Sequence, residues 1–136
     1  MNKLEIFRTL VRLALVDNRL EESELVLLKE YVKIHQIDSA DSERIMKDEL
    51  ENKGNNSLVP LNLDFQGKIE VLADLVKVMK ADGKVFLSEI RFCEMVAKMF
   101  GLEPKSIGFL SEMVHADNNV PINWELVEKK MKDFVS

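Results

Sequence analysis

The chain has a single cysteine, Cys93, so no intrachain disulfide can form. Cys93 lies among Ile90, Val96 and Ala97 and reads as a small buried hydrophobe rather than a reactive thiolate. No uncharged apolar run approaches the length that crosses a bilayer. The opening residues, Met1-Asn2-Lys3-Leu4-Glu5, carry charge where a signal peptide would hold its apolar run, so a cytoplasmic location is expected. Positive charge is not in excess. Nineteen Lys and Arg stand against 24 Asp and Glu, for a formal net charge of −5. The basic residues are scattered, the densest run being Lys129-Lys130 with Lys132. A general nucleic-acid binder needs a basic face, and none is present. There are only two histidines, His35 and His115, and with Cys93 they give no zinc spacing. Both read as capping or surface residues. No Gly-rich phosphate loop and no nucleophile elbow occurs, and no enzymatic activity is expected.

What the sequence does contain is helical pattern. Its 136 residues, 46% apolar and 32% charged, suit one soluble domain with a real core. Leu4, Phe7, Leu10, Val11, Ala14 and Leu15 recur at three/four spacing, which predicts a helix over 2–16. Asp17-Asn18 ends it, Asn tolerating the left-handed conformation of a helix terminus. A second helix is predicted over 22–36. A third, over 40–52, is mostly polar, with only Ile45, Met46 and Leu50 able to pack, so a peripheral position is expected. Lys53-Gly54-Asn55-Asn56-Ser57 and Pro60 break the chain. Leu58, Val59, Leu61 and Leu63 are expected to lie across the core surface. Asp64 is a good N-cap for a fourth helix reaching Ala81. The fifth, over 87–100, is apolar almost all round and is expected to be the central, most buried element. Gly101 ends it. Pro104 suits the first turn of a sixth helix, and a last helix over 123–134 is expected to pack Trp124, Val127, Met131 and Phe134.

One unit occurs twice. Moving from Glu5 to Glu70 sets an offset of 65 positions, at which Leu10 falls on Leu75, Asp17 on Asp82, Ser23 on Ser88, Glu24 on Glu89 and Lys33 on Lys98. Conservative pairs fill the gaps: Arg19 with Lys84, Leu20 with Val85, Leu25 with Ile90, Ile37 with Leu102. The expected fold is all-α, about seven helices. Two pseudo-symmetric repeats, about 2–52 and 64–115, pack together with a C-terminal helix over about 123–134.

The turn Ala81-Asp82-Gly83-Lys84-Val85, followed by Glu89, resembles the TerB-like family of tellurite-resistance-associated proteins. That family's hallmark is an Ala-Asp-Gly turn, an apolar residue two positions on, and a Glu early in the next helix. Val16-Asp17-Asn18-Arg19-Leu20 with Glu24 echoes it, with Val and Asn replacing Ala and Gly. Glu21 and Phe86 stand where the family often carries a capping Ser or Thr. The resemblance runs from about Leu4 to Leu110. It implies an all-helical domain of stress-response systems that binds or senses metal, not an enzyme.

The acidic turns admit two readings. In one, Asp17 and Asp82 close helices, while Glu24 and Glu89 sit near the N3 position and complement the helix dipole. The protein is then a metal-free interaction domain with an exposed apolar patch around Leu58 to Leu63 or Trp124. In the other, a two-fold axis gathers Asp17, Glu24, Asp82 and Glu89 into one divalent-cation site. Oxygen-only ligands suit Ca²⁺, Mn²⁺ or Mg²⁺. Neither turn is an EF-hand, because the twelfth residue from Asp17 is Leu28 and from Asp82 is Cys93. The expected partner is a protein, a second copy of this chain included, and neither nucleic acid nor a membrane.

Overall fold

The structure, a computed structural model, describes residues 3–15, 22–51, 63–81, 83, 85, 87–115 and 120–136. Seven α-helices are formed among them: α1 (Lys3–Ala14), α2 (Glu22–Ile34), α3 (Ser39–Glu51), α4 (Phe65–Lys80), α5 (Leu87–Met99), α6 (Ser106–Met113) and α7 (Trp124–Met131). A 3₁₀ turn, Lys132–Phe134, follows α7. No strand forms among the described residues. An isolated antiparallel bridge pairs Leu102 with Val135, and the Glu103 and Ser136 amides donate to Phe134 and Gly101 carbonyls at 2.7 and 2.9 Å. The chain's last residues are thereby strapped to the α5–α6 connection. The all-α fold is as the periodicity requires.

Local chemistry fixes the helix ends. Asp64 caps α4, its carboxylate accepting from the Gly67 amide at 2.7 Å. Asn123 caps α7 through the Leu126 amide. α5 ends in a Schellman motif: Leu102 N–H donates to Ala97 and Gly101 N–H to Lys98, with Gly101 at φ 80°. α2 ends the same way. Ile37 N–H donates to Val32, Gln36 N–H to Lys33, and Gln36 takes φ 52°. These two terminators lie at the 65-residue offset, residue for residue. Gly83 also has a positive φ, 75°, while Asn18 lies outside the described residues.

The core is built around α4, not α5 as the sequence suggests. α4 buries nine of its 16 residues, against five of 13 in α5. It packs against α1, α2, α5, α6 and α7, whereas α5 touches chiefly α4, α6 and α1. Cys93, Val96 and Ala97 are buried as expected, but Ile90 is only half-buried, and Leu87 and Met95 point to solvent. The apolar surplus of α5 is therefore partly surface. On α7, Val127 and Met131 are buried and Phe134 packs against Phe109, but Trp124 is 36% exposed. Leu63 rests on the core, and the rest of 58–63 up to Asn62 lies outside the described residues.

α3 is peripheral, as its polarity suggests, with two of its 13 residues buried. It packs along α1, burying Ile45 and the carboxylate of Glu49 while leaving Leu50 exposed. Glu49 accepts from Arg12 Nε and from Arg8 Nη1 at 2.9 Å, both on α1. Asp48 adds a second, outer contact to Arg8 at 3.5 Å. α6 is tied to α4 differently: Lys80 Nζ donates to the Ser111 and Val114 carbonyls at 2.6 and 3.0 Å, at the C-terminal end of α6 where a cation is favoured.

Candidate functional site

Of the four carboxylates singled out by the sequence, Asp17 and Asp82 lie outside the described residues. Glu24 and Glu89 are described, and both are buried, at 2% and 3% exposure. Each is the third residue of its helix, the N3 position of α2 and α5. There the unpaired amides and the positive end of the helix dipole favour negative charge. The charge of Glu89 reaches one turn along α5: the Cys93 thiol is pushed up, first by burial and then by Glu89 and Glu94. Cys93 is thus a buried neutral thiol, as its setting in the sequence indicates. Among the described residues no three His, Cys, Asp or Glu side chains gather as a metal-holding group.

A second polar site lies away from the acidic turns. A cleft of about 180 Å³ opens between α1, α2 and α4. Leu10, Leu27, Ile34 and Val78 form its apolar wall, and Glu30, Tyr31, His35, Asp74 and Lys77 supply its polar groups. The Tyr31 ring is fixed on both sides, stacked on Phe7 at 6.1 Å and against His35 at 4.1 Å between centroids. Lys3 Nζ donates to the His35 and Gln36 carbonyls at 3.1 and 3.3 Å, holding α1 against the end of α2.

Desolvation displaces three titratable groups in this cleft. Asp74 is half-buried, and desolvation pushes its carboxyl up to about 6. The Lys77 charge opposes that rise and the Glu70 charge adds to it. Burial, and secondarily the Asp74 charge, pushes the Tyr31 phenol above its usual range. His35 is pushed down by desolvation and by Lys3, against a smaller upward pull from Glu70. Titratable groups displaced by burial beside a cleft mark a candidate site on physical grounds.

In the sequence, Tyr31 passes for an ordinary member of an apolar stripe; His35 reads as a capping or surface residue, and it is exposed where it lines the cleft. The signal that finds them is the repeat itself, read for mismatches. At the 65-residue offset Tyr31 stands opposite Val96, His35 opposite Phe100, Glu30 opposite Met95 and Asp74 opposite Thr9. Thr9 spends its hydroxyl on the Glu5 carbonyl of its own helix, at 2.9 Å. At these four positions one half is apolar or self-satisfied and the other carries ionisable side chains.

Comparison with protein-family models, curated proteins and solved structures finds no match to this chain. Among the described residues no helix is long and apolar enough to cross a membrane.

Proposed function

We propose that the chain is a non-enzymatic, TerB-like helical module that binds a divalent cation, Ca²⁺, Mn²⁺ or Mg²⁺, through Asp17, Glu24, Asp82 and Glu89. One observation carries this reading: two carboxylates are buried at the same position of two helices 65 residues apart. Withdrawing a carboxylate from water costs several kcal/mol unless positive charge or hydrogen bonds offset it. Interactions within the fold and the helix dipole offset part of this for both glutamates, and a shared cation would add to it.

Helix pairings support the relation between the halves. α1 packs on α4, α1–α2 corresponds to α4–α5, α1–α5 to α4–α2, and α1–α3 to α4–α6. Exchanging the two units turns each of these pairings into another of them, whereas α5–α6 has no α2–α3 counterpart of comparable extent. We infer an approximate two-fold axis near the α1–α4 contact, which would relate Glu24 to Glu89. Residues 82 and 17 enter through the family resemblance and their places in the turns.

The test is thermal melting of chelator-treated protein with Mn²⁺ and, separately, Ca²⁺. A cation that binds only the folded state adds about 2.7 kcal/mol at one hundred times its Kd. For a domain of this size that raises Tm by roughly 10 °C. Glu89→Gln should remove most of the rise. A Tm indifferent to millimolar divalent cations overturns the reading.

A metal-free interaction domain is the second reading, and a surface feature favours it. A groove of about 370 Å³ runs between α4, α5 and α6, walled by Met79, Ile90 and Ile107, with Val85 at its edge 45% exposed. Leu87, at 58%, extends apolar surface beside it. Sedimentation of the protein with and without Leu87→Asp tests self-association through this face. Monomeric behaviour of both forms leaves the groove without a second copy as partner.

A further inference from the structure

The cleft between α2 and α4 shares no residue with the acidic turns. Its shape and lining are those of a ligand site: concave, mostly apolar, with a few polar groups converging on one space. Its 180 Å³ compares with the roughly 150 Å³ that suffices for a benzene-sized guest. The two halves also differ along its walls. Four positions that are apolar or internally satisfied in one half become Glu30, Tyr31, His35 and Asp74 in the other. Two of them, Tyr31 and Asp74, are buried and half-buried, where a position that needed only packing would stay apolar, while Glu30 and His35 are exposed.

The charges on the walls select the ligand. Glu30 and Asp74 line the space, and Glu70 lies close enough to act on both Asp74 and His35. Among the described residues Lys77 is the one lysine lining it, and Lys3 acts on His35 from α1. His35, pushed down by desolvation and Lys3, is largely neutral at pH 7. The summed field is negative. Leu27, Ile34 and Val78 supply surface for an apolar body. We propose that this cleft binds a small organic ammonium compound with an aromatic or branched apolar body, Asp74 acting as its counter-ion.

The acidity of Asp74 then becomes a readout. Held near 6 with the cleft empty, its carboxyl is mostly protonated at pH 5 and ionised at pH 7.5. A bound ammonium favours the ionised form, so binding weakens at low pH, by about tenfold at pH 5 if Asp74 alone responds. Glu30, Glu70, His35, Tyr31 and Lys77 are the other titratable groups facing it, and Tyr31, pushed up by burial, holds one state across that range.

The experiment is a titration of ¹⁵N-labelled protein at pH 7.5 with three probes of equal size: 2-phenylethylamine, 2-phenylethanol and phenylacetate. The amine should shift amide signals of 27–35 and 74–78 and bind at least tenfold more tightly than the alcohol. Phenylacetate should bind more weakly still. In Asp74→Asn, which removes a desolvated charge and so should fold, amine and alcohol should become equal. Equal or tighter binding of phenylacetate overturns the proposal. So do shifts that map elsewhere, no binding of the amine, or an unchanged amine preference in Asp74→Asn. None of these outcomes bears on the divalent-cation site.

Discussion

Replacing Asp74 by Asn should make the protein more stable at neutral pH, and the gain should disappear in acid. The carboxyl is raised from an ordinary value of 3.8 to about 6, chiefly by desolvation. The folded state therefore takes up the proton before the unfolded chain does. Between about pH 6 and pH 4 the native state binds more protons than the unfolded state, so stability falls as pH rises through this window. Above it the full penalty of holding the ionised group in its cleft is present. Two pKa units correspond to about 3 kcal/mol, and solvent reaching this half-buried group reduces that to about 1–2 kcal/mol. Asn keeps the shape of the protonated acid without its titration. Urea denaturation at pH 7.5 should then show Asp74→Asn more stable by about 1–2 kcal/mol, a midpoint higher by roughly 1 M. At pH 4 the two proteins should unfold together. An Asn variant weaker than the parent at pH 7.5 would refute the reasoning, as would a difference of the same size at both pH values.

Further consequences concern the frame around the sites. Glu49→Ala should cost about 2–4 kcal/mol by urea denaturation, because it leaves Arg8 and Arg12 of α1 facing a part-buried gap. A double-mutant cycle with Arg12→Ala should return a coupling above about 1 kcal/mol. Gly83→Val should lower Tm more than Gly83→Asn, since φ 75° suits Asn far better than a β-branched residue. Equal Tm values would contradict the turn. Val96→Asp should abolish the native circular-dichroism melt by placing an unpaired charge at a fully buried site between α5 and its neighbours.

Much of this fold is legible in the sequence, because the signals are local. Three/four spacing marks each helix, Asp64 and Asn123 announce starts, and Gly101 announces a stop. Gln36 is harder to read. It occupies the same left-handed terminator without being glycine, and only its offset from Gly101 points to it. The rank of α4 over α5 is not local either. α5 looks more apolar, but centrality depends on how many neighbours surround a helix, and α4 has them on every side. Burial of Glu49 depends on two arginines that sequence distance hides. The same applies to the cleft: Tyr31, His35 and Asp74 come from helices separated by the whole of α3, and no spacing rule joins them. Of the acidic turns, the burial of Glu24 and Glu89 goes beyond what capping chemistry in the sequence indicates.

The central functional claim is that Asp17, Glu24, Asp82 and Glu89 hold one divalent cation. A crystal grown with Mn²⁺ and measured near the manganese absorption edge addresses it directly. The account predicts one anomalous peak, within about 2.0–2.6 Å of carboxylate oxygens from both repeats, Glu24 and Glu89 among them. A map without a peak there, with both glutamates bonded to the amides of their own helices, would contradict it and leave the buried carboxylates as caps.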